Sequence, residues 1–120
     1  HYKLPEQIKE LLRDLEDTEW QIRVIPLTKG TVQNDIVSFK EGKFISHNLS
    51  ANNYPASEYF LVIEDDHKII WESKAAAQGA VAFWKGEIRK GEMEGGLRLR
   101  YSDGRLKDFS FVSVGYSRKK

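Results

Sequence analysis

The stretch GAVAFWKGEIRKGEMEGGLRLRYSDGRLKDFSFVSV, residues 79–114, decides the fold. It writes three antiparallel strands in series, separated by tight turns at Lys90-Gly91 and Ser102-Asp103-Gly104. A two-residue turn at Lys90-Gly91 pairs Arg89 with Glu92. It therefore also pairs Ile88 with Met93, Gly86 with Gly95, Trp84 with Leu97 and Ala82 with Leu99. Cross-strand partners share a face, so this register makes one face uniformly apolar or glycine. Lys85, Glu87, Glu94, Arg98 and Arg100 lie on the other face, with Val81 and Phe83 among them.

The next hairpin offers two registers. A two-residue turn at Asp103-Gly104 would bury Asp108 and Ser110; a three-residue loop with Gly104 in a left-handed bulge buries Phe109 and Phe111 instead. One residue of slip exchanges the faces of the whole strand, and burying two phenylalanines rather than an aspartate selects the bulge. Gly95 then stands between Gly86 and Phe111. This predicts a sharply bent sheet with room for an aromatic ring, of the kind that closes on itself.

Outward from this meander the period stays at two. Strands are expected near Glu19–Leu27, Val32–Lys40, Lys43–Asn48, Glu58–Asp65, Lys68–Lys74, Ala80–Arg89, Glu92–Ser102 and Arg105–Val114, an all-β pattern of about eight strands. Glu41-Gly42 is a further two-residue turn, and Asp65-Asp66-His67 is another turn. Leu49–Ser57 and Ser73–Gly79 are longer connections. Before the strands, Pro5 suits a first helical position, and Leu4, Ile8, Leu11, Leu12 and Leu15 form one apolar stripe. An amphipathic helix over Pro5–Asp17, docked on the barrel, is the expectation. The domain organisation is then a single domain over 1–120, with its helix at 5–17 and its barrel at 19–114.

Composition limits the partners. The chain has 120 residues, 19 Lys+Arg against 18 Asp+Glu and no cysteine. A net charge of +1 makes no general case for nucleic acid, although Arg98, Arg100, Arg105 and Lys107 cluster at the last hairpin. The absence of cysteine excludes disulfides and thiolate zinc sites. No apolar run reaches the roughly 20 residues of a membrane helix. The chain opens at His1, as a processed, a trimmed or a tagged N-terminus would.

The chain resembles the calycin superfamily, the lipocalin-like small barrels, from Trp20 to Phe111. The likeness is carried by a tryptophan in the first strand after a short helix, the hairpin Asp35-Ile-Val-Ser-Phe-Lys-Glu-Gly-Lys-Phe-Ile-Ser46, the hairpin Trp84–Gly95 and the strand from Asp103-Gly104 to Phe111. Thr18 stands where that family has a glycine two residues before the tryptophan, and Arg118 is the arginine nearest the end of the last strand. The resemblance implies an eight-stranded up-and-down barrel that holds a small apolar ligand or serves as a scaffold. It leans to a bacterial, periplasmic or secreted setting without excluding the cytoplasm.

Catalytic signatures are missing from the sequence: no serine sits in a strand–elbow–helix context, and His1, His47 and His67 have no metal-ligand spacing. His47 alternates with Ile45, a parity that allows it to face inward. Glu64-Asp65-Asp66 is a hairpin-tip cluster, and solvation explains it. The expectation is a non-enzymatic barrel without cofactor or metal. A ligand site, if present, lies at one open mouth between Trp84, Leu97, Leu99, Tyr101, Phe109 and Phe111, with Trp20, Phe39, Tyr59 and Trp71 opposite. Tyr101 or Tyr59 would supply a hydroxyl. The same aromatic set also reads as a filled core. From a different class comes an interaction module, or a homodimer, that uses an outer sheet face. Tyr59-Phe-Leu-Val-Ile63 and Ile69-Ile70-Trp71 support it, being apolar on both faces where a barrel wall needs only one.

Overall fold

A computed structural model describes residues 15–65 and 68–118. Eight antiparallel strands close into an up-and-down barrel in sequence order. They are β1 (Thr18–Pro26), β2 (Gln33–Lys40), β3 (Lys43–Ser46), β4 (Ser57–Asp65), β5 (Lys68–Ala77), β6 (Ala80–Arg89), β7 (Glu92–Arg100) and β8 (Leu106–Arg118). The short helix α1 (His47–Ser50) lies between β3 and β4 and is the one helix wholly within the described residues. The helix expected over Pro5–Asp17 falls, up to residue 14, outside those residues. By Asp17 the chain is turning: that residue takes a left-handed φ of 63°, and β1 starts at Thr18.

The β6–β7 register pairs Gly86 with Gly95 and Trp84 with Leu97, and the β7–β8 register pairs Gly95 with Phe111 and Leu97 with Phe109. Glu41-Gly42, Gln78-Gly79 and Lys90-Gly91 each have two consecutive positive φ angles, the geometry of the primed turn whose twist suits a hairpin. Gly104 has φ 91°, and its N–H donates to the Tyr101 carbonyl at 2.9 Å, which fixes the bulged loop.

Three elements differ from expectation. The triple alanine is not a loop: β5 runs to Ala77 and turns at Gln78-Gly79, with Ala75 opposite Ala82 and Ala77 opposite Ala80. β3 stops at Ser46, because the Ser46 hydroxyl accepts from Leu49 N–H and caps α1. The barrel does not end at Val114: β8 continues to Arg118, and Val114 is the extra residue of a bulge where β1 shifts register between Gln21 and Ile22. Past that bulge Tyr116 pairs with Trp20 and stacks on it, ring centroids 4.4 Å apart and 19° between planes. Arg118, opposite Thr18, donates to the Glu16 carbonyl at 3.1 Å.

The core is aromatic. Phe39, Phe44, Trp71, Trp84 and Phe111 are buried and touch in sequence around the barrel, with centroid separations from 4.7 to 6.1 Å. Each such ring contributes about 1.5–3 kcal/mol of burial.

Candidate functional site

The residues expected to line a ligand chamber are on inward-facing positions or at the open mouth, where the aromatic ones pack on one another, and Trp84, Leu97, Phe109 and Phe111 also border a large concavity. Trp20, Phe39, Trp71, Trp84, Leu97 and Phe111 are buried; Tyr59, Leu99, Tyr101 and Phe109 are half-buried. Phe39 meets Tyr59 and Trp71 edge-on at 5.0 Å each. Under α1, between Phe44, Ser46, Leu49, Tyr54 and Trp84, a cavity of about 10 Å³ remains, room for one water.

Polar groups at each end of the barrel are committed to the fold. At the end near Leu15, the Glu16 carboxylate accepts from Glu41 N–H and Gly42 N–H, each at 2.9 Å, and from the Tyr59 hydroxyl at 2.5 Å. Burial alone would raise the Glu16 pKa; the bonds from Tyr59, Gly42 and Glu41 outweigh it and hold it below the usual carboxylate range. Burial, then the bond to Glu16 and its charge, pushes the Tyr59 phenol well above its ordinary value. The Thr18 hydroxyl donates to the Leu15 carbonyl at 2.5 Å and accepts from Trp20 Nε1–H at 2.9 Å. Threonine at this position thus anchors the tryptophan.

At the other end Asp35, buried, accepts from Ile36 N–H at 2.7 Å, Asn48 N–H at 3.0 Å and the Ser46 hydroxyl. Every one of these donors belongs to the β2 strand or the α1 cap, so this acid is structural. His47 is exposed at the start of α1, and Ile45 faces outward opposite Ser38.

The large concavity is on the outside. A trough of about 1340 Å³ crosses the outer face of β4–β8, from Phe60 on β4 to Leu27 beyond β1. The register explains its shape. On the outer face Lys85, Gly96 and Ser110 stand in one cross-strand row. Glu87, Glu94 and Val112 form the row toward the Lys90-Gly91 turn; Phe83, Arg98 and Asp108 form the row on the other side. Gly96 and Ser110 project almost nothing, so they are the low part of this row on β7 and β8, while Lys85 of the same row reaches Glu72 at 3.9 Å. The flanking rows are the walls. Phe60 (64% exposed), Leu106 (55%), Val112 (37%) and Phe83 (36%) supply the apolar surface.

Both walls carry charge, much of it paired within the chain. Glu87 stands directly opposite Glu94, with Lys68 3.3 Å from Glu87. The other wall carries Lys74 opposite Phe83, Arg100 with its guanidinium 5.7 Å from the Phe83 ring, and Arg98 in a two-bond fork with Asp108 at 2.7 and 3.1 Å. That fork holds the Asp108 pKa below its ordinary value and raises that of Arg98. Sequence alternation alone places Phe83 and the charged residues on this face. It does not mark Gly96 and Ser110 as the low part of a row, although the register that puts Gly95 inward necessarily puts Gly96 outward.

No known protein family matches the chain, and no curated protein or solved structure is significantly similar to it.

Proposed function

We propose that this chain is a non-enzymatic binding module whose working surface is the outer trough of β4–β8 rather than the barrel interior. The observation that carries the reading is a contrast in free volume: about 1340 Å³ along an apolar outer face, against about 10 Å³ in the cavity under α1, where the rings pack on one another. Contiguous exposed apolar surface rimmed by charge is the usual mark of an interaction site. The trough is open to solvent, unlike the enclosed pockets that small molecules usually occupy, which favours a macromolecular partner. The reading assigns no catalytic group, and kinship with lipocalin-like barrels belongs to the proposal through strand number and order alone.

The test uses the dye ANS, which brightens on apolar surface. Binding by the native protein is expected to be lost in Phe83→Glu and Phe60→Glu, whose side chains are outward, and to be kept in Leu97→Met, whose side chain is inward. A dye signal indifferent to the two outer substitutions, and displaced by a fatty acid, would contradict the reading.

A further inference from the structure

One seam of the barrel is not finished by its own strands. β3 meets β4 at two pairs, Lys43 with Glu58 and Phe44 with Ser57, whereas β5 follows β4 from Tyr59 to Asp65. The last bond across the seam runs from Tyr59 N–H to the Gly42 carbonyl at 3.4 Å. The ladder stops there, because Gly42 N–H, the donor that would answer the Tyr59 carbonyl, is held by the Glu16 carboxylate at 2.9 Å. In an antiparallel ladder the N–H and C=O of one residue point to the same side, and the side alternates along the strand. Phe60 and Val62 therefore turn their backbone groups to Glu72 and Ile70 of β5. Leu61 and Ile63 turn theirs the other way, past the end of the β2–β3 hairpin, where no strand pairs with them among the described residues.

The opposite end of the same seam is covered. There β2 outruns β3, which begins to pair only at Val37, and α1 closes the gap. Asn48 Nδ2 donates to the Asn34 carbonyl at 2.9 Å, and Asn48 N–H donates to the Asp35 carboxylate at 3.0 Å. The β4 edge has no such cover among the described residues. An uncovered edge is a template for another strand, and addition of a strand to such an edge is a common mode of peptide recognition.

We infer that the β4 edge receives an extended segment of a partner protein, paired antiparallel with Leu61 and Ile63. An apolar face accepts many covers, but alternating backbone donors and acceptors are matched by another extended backbone; a helix has bonded its own groups internally. Side chains set the preference. Residues of the incoming strand opposite Phe60 and Val62 share their outer face, where those two are 64% and 50% exposed, so alternate positions of the segment are apolar. A second copy fits less well. Two-fold pairing of β4 centred on Leu61 or Val62 sets Ile63 or Asp65 of each copy against Tyr59, the position Gly42 already holds. A separate segment can end at Phe60. The edge is independent of the trough, since Leu61, Val62 and Ile63 are outside its lining.

The experiment is amide NMR on the labelled chain, first alone and then with a capped peptide of about seven residues in which valine alternates with threonine. Alone, the Leu61 and Ile63 amides should exchange with solvent at least roughly tenfold faster than those of Phe60 and Val62. The peptide should shift the Leu61 and Ile63 amides saturably and slow their exchange. With its valines opposite Phe60 and Val62, its threonine N–H groups point to β4. N-methylation of the threonines should therefore weaken binding roughly tenfold or more, and N-methylation of the valines should leave it unchanged. Leu61→Pro removes a free N–H without breaking a bond to β5 and should abolish the shifts; should that variant not fold, the two methylated peptides still decide. Equal exchange at all four amides of the free chain would overturn the inference, since the chain itself or a second copy would then cover the edge. So would an absence of shifts, or equal loss with either methylated peptide, which would mean apolar adhesion without a ladder. Dye binding in Phe83→Glu bears on the trough alone, so either idea can fail without the other.

Discussion

The indole of Trp71 lies over Gly86, in the space a β-carbon would need: Trp71 Nε1 is 2.3 Å from where that carbon would be. Trp71, Gly86, Gly95 and Phe111 are consecutive partners across four strands, with the Trp71 and Phe111 rings 6.1 Å apart over the two glycines. The wall is thin here because two residues have no side chains, and the rings fill the inside. Trp71 Nε1–H is left as a buried donor without a partner among the described residues, a cost of about 1–3 kcal/mol that the packing offsets.

The three neighbouring glycines should therefore respond in order to alanine. Gly95→Ala meets backbone and should be the worst, at or above the top of the roughly 1–3 kcal/mol of overpacking. Gly86→Ala meets the Trp71 ring and should fall within that range. Gly96→Ala, whose β-carbon would meet the Phe109 carbonyl oxygen at an ordinary 3.5 Å, should be neutral or stabilise by about 0.5–1 kcal/mol. Chemical denaturation of the three variants checks the order, and equal losses at Gly86 and Gly96 would contradict it.

Gly104 tests the bulge separately from packing. Nothing lies within 4 Å of a β-carbon built there, yet φ is 91°. Gly104→Val should thus lose about 1–3 kcal/mol from backbone strain alone. Gly104→Asn should lose much less. Equal tolerance of both residues would mean that the loop is not held in this conformation.

Glu16 and Tyr59 give the barrel a pH signature at both extremes. The Glu16 pKa is depressed below its ordinary 4.5, so its contribution is present above that value and fades as pH falls through the folded-state pKa. The Tyr59 pKa is raised above 10.0, so its contribution is complete below pH 10 and fades as pH rises toward the folded-state value. Denaturation midpoints measured against pH should therefore drop on the acid side, and Glu16→Gln should flatten that limb. In a spectrophotometric titration the Tyr59 phenol should ionise well above its ordinary value, and Tyr59→Phe should remove that late step. A Glu16→Gln profile parallel to the parent would refute the linkage.

Truncation asks what the segment before β1 contributes. Leu15 is buried to 2% exposure, a burial worth about 1.5–3 kcal/mol, and Glu16 straps the β2–β3 turn to Tyr59. A chain beginning at Thr18 should melt many degrees below the parent. An unchanged melting curve would show that this anchor carries no stability.

The parts of the fold legible in the sequence rest on local signals. Lys90-Gly91 and Glu41-Gly42 sit between alternating runs, so turn and register can be read together. The Phe109 and Phe111 faces follow from the cost of burying Asp108. Gln78-Gly79 escapes notice as a hairpin because Ala75, Ala76 and Ala77 give no alternation of size or polarity to the strand before it. The end of β3 depends on Asp35 reaching Ser46 across a separation of 11 residues, and the extent of β8 depends on Tyr116 finding Trp20, contacts that no local pattern encodes. The aromatic set is legible as inward-facing. Whether the rings meet or leave a chamber is not, because that depends on how far the wall moves in at Gly86 and Gly95. The trough lies on the outer side of the same stretch of wall, with Gly95 and Gly96 in its lining.

The most direct measurement of whether the working surface is outside is a titration with retinol followed by tryptophan emission. Trp20, Trp71 and Trp84 are packed against other side chains inside the barrel. No saturable quenching is expected with micromolar ligand. Saturable quenching that persists in Gly96→Lys and disappears in Leu97→Trp would place a ligand inside the barrel and contradict an outer working surface.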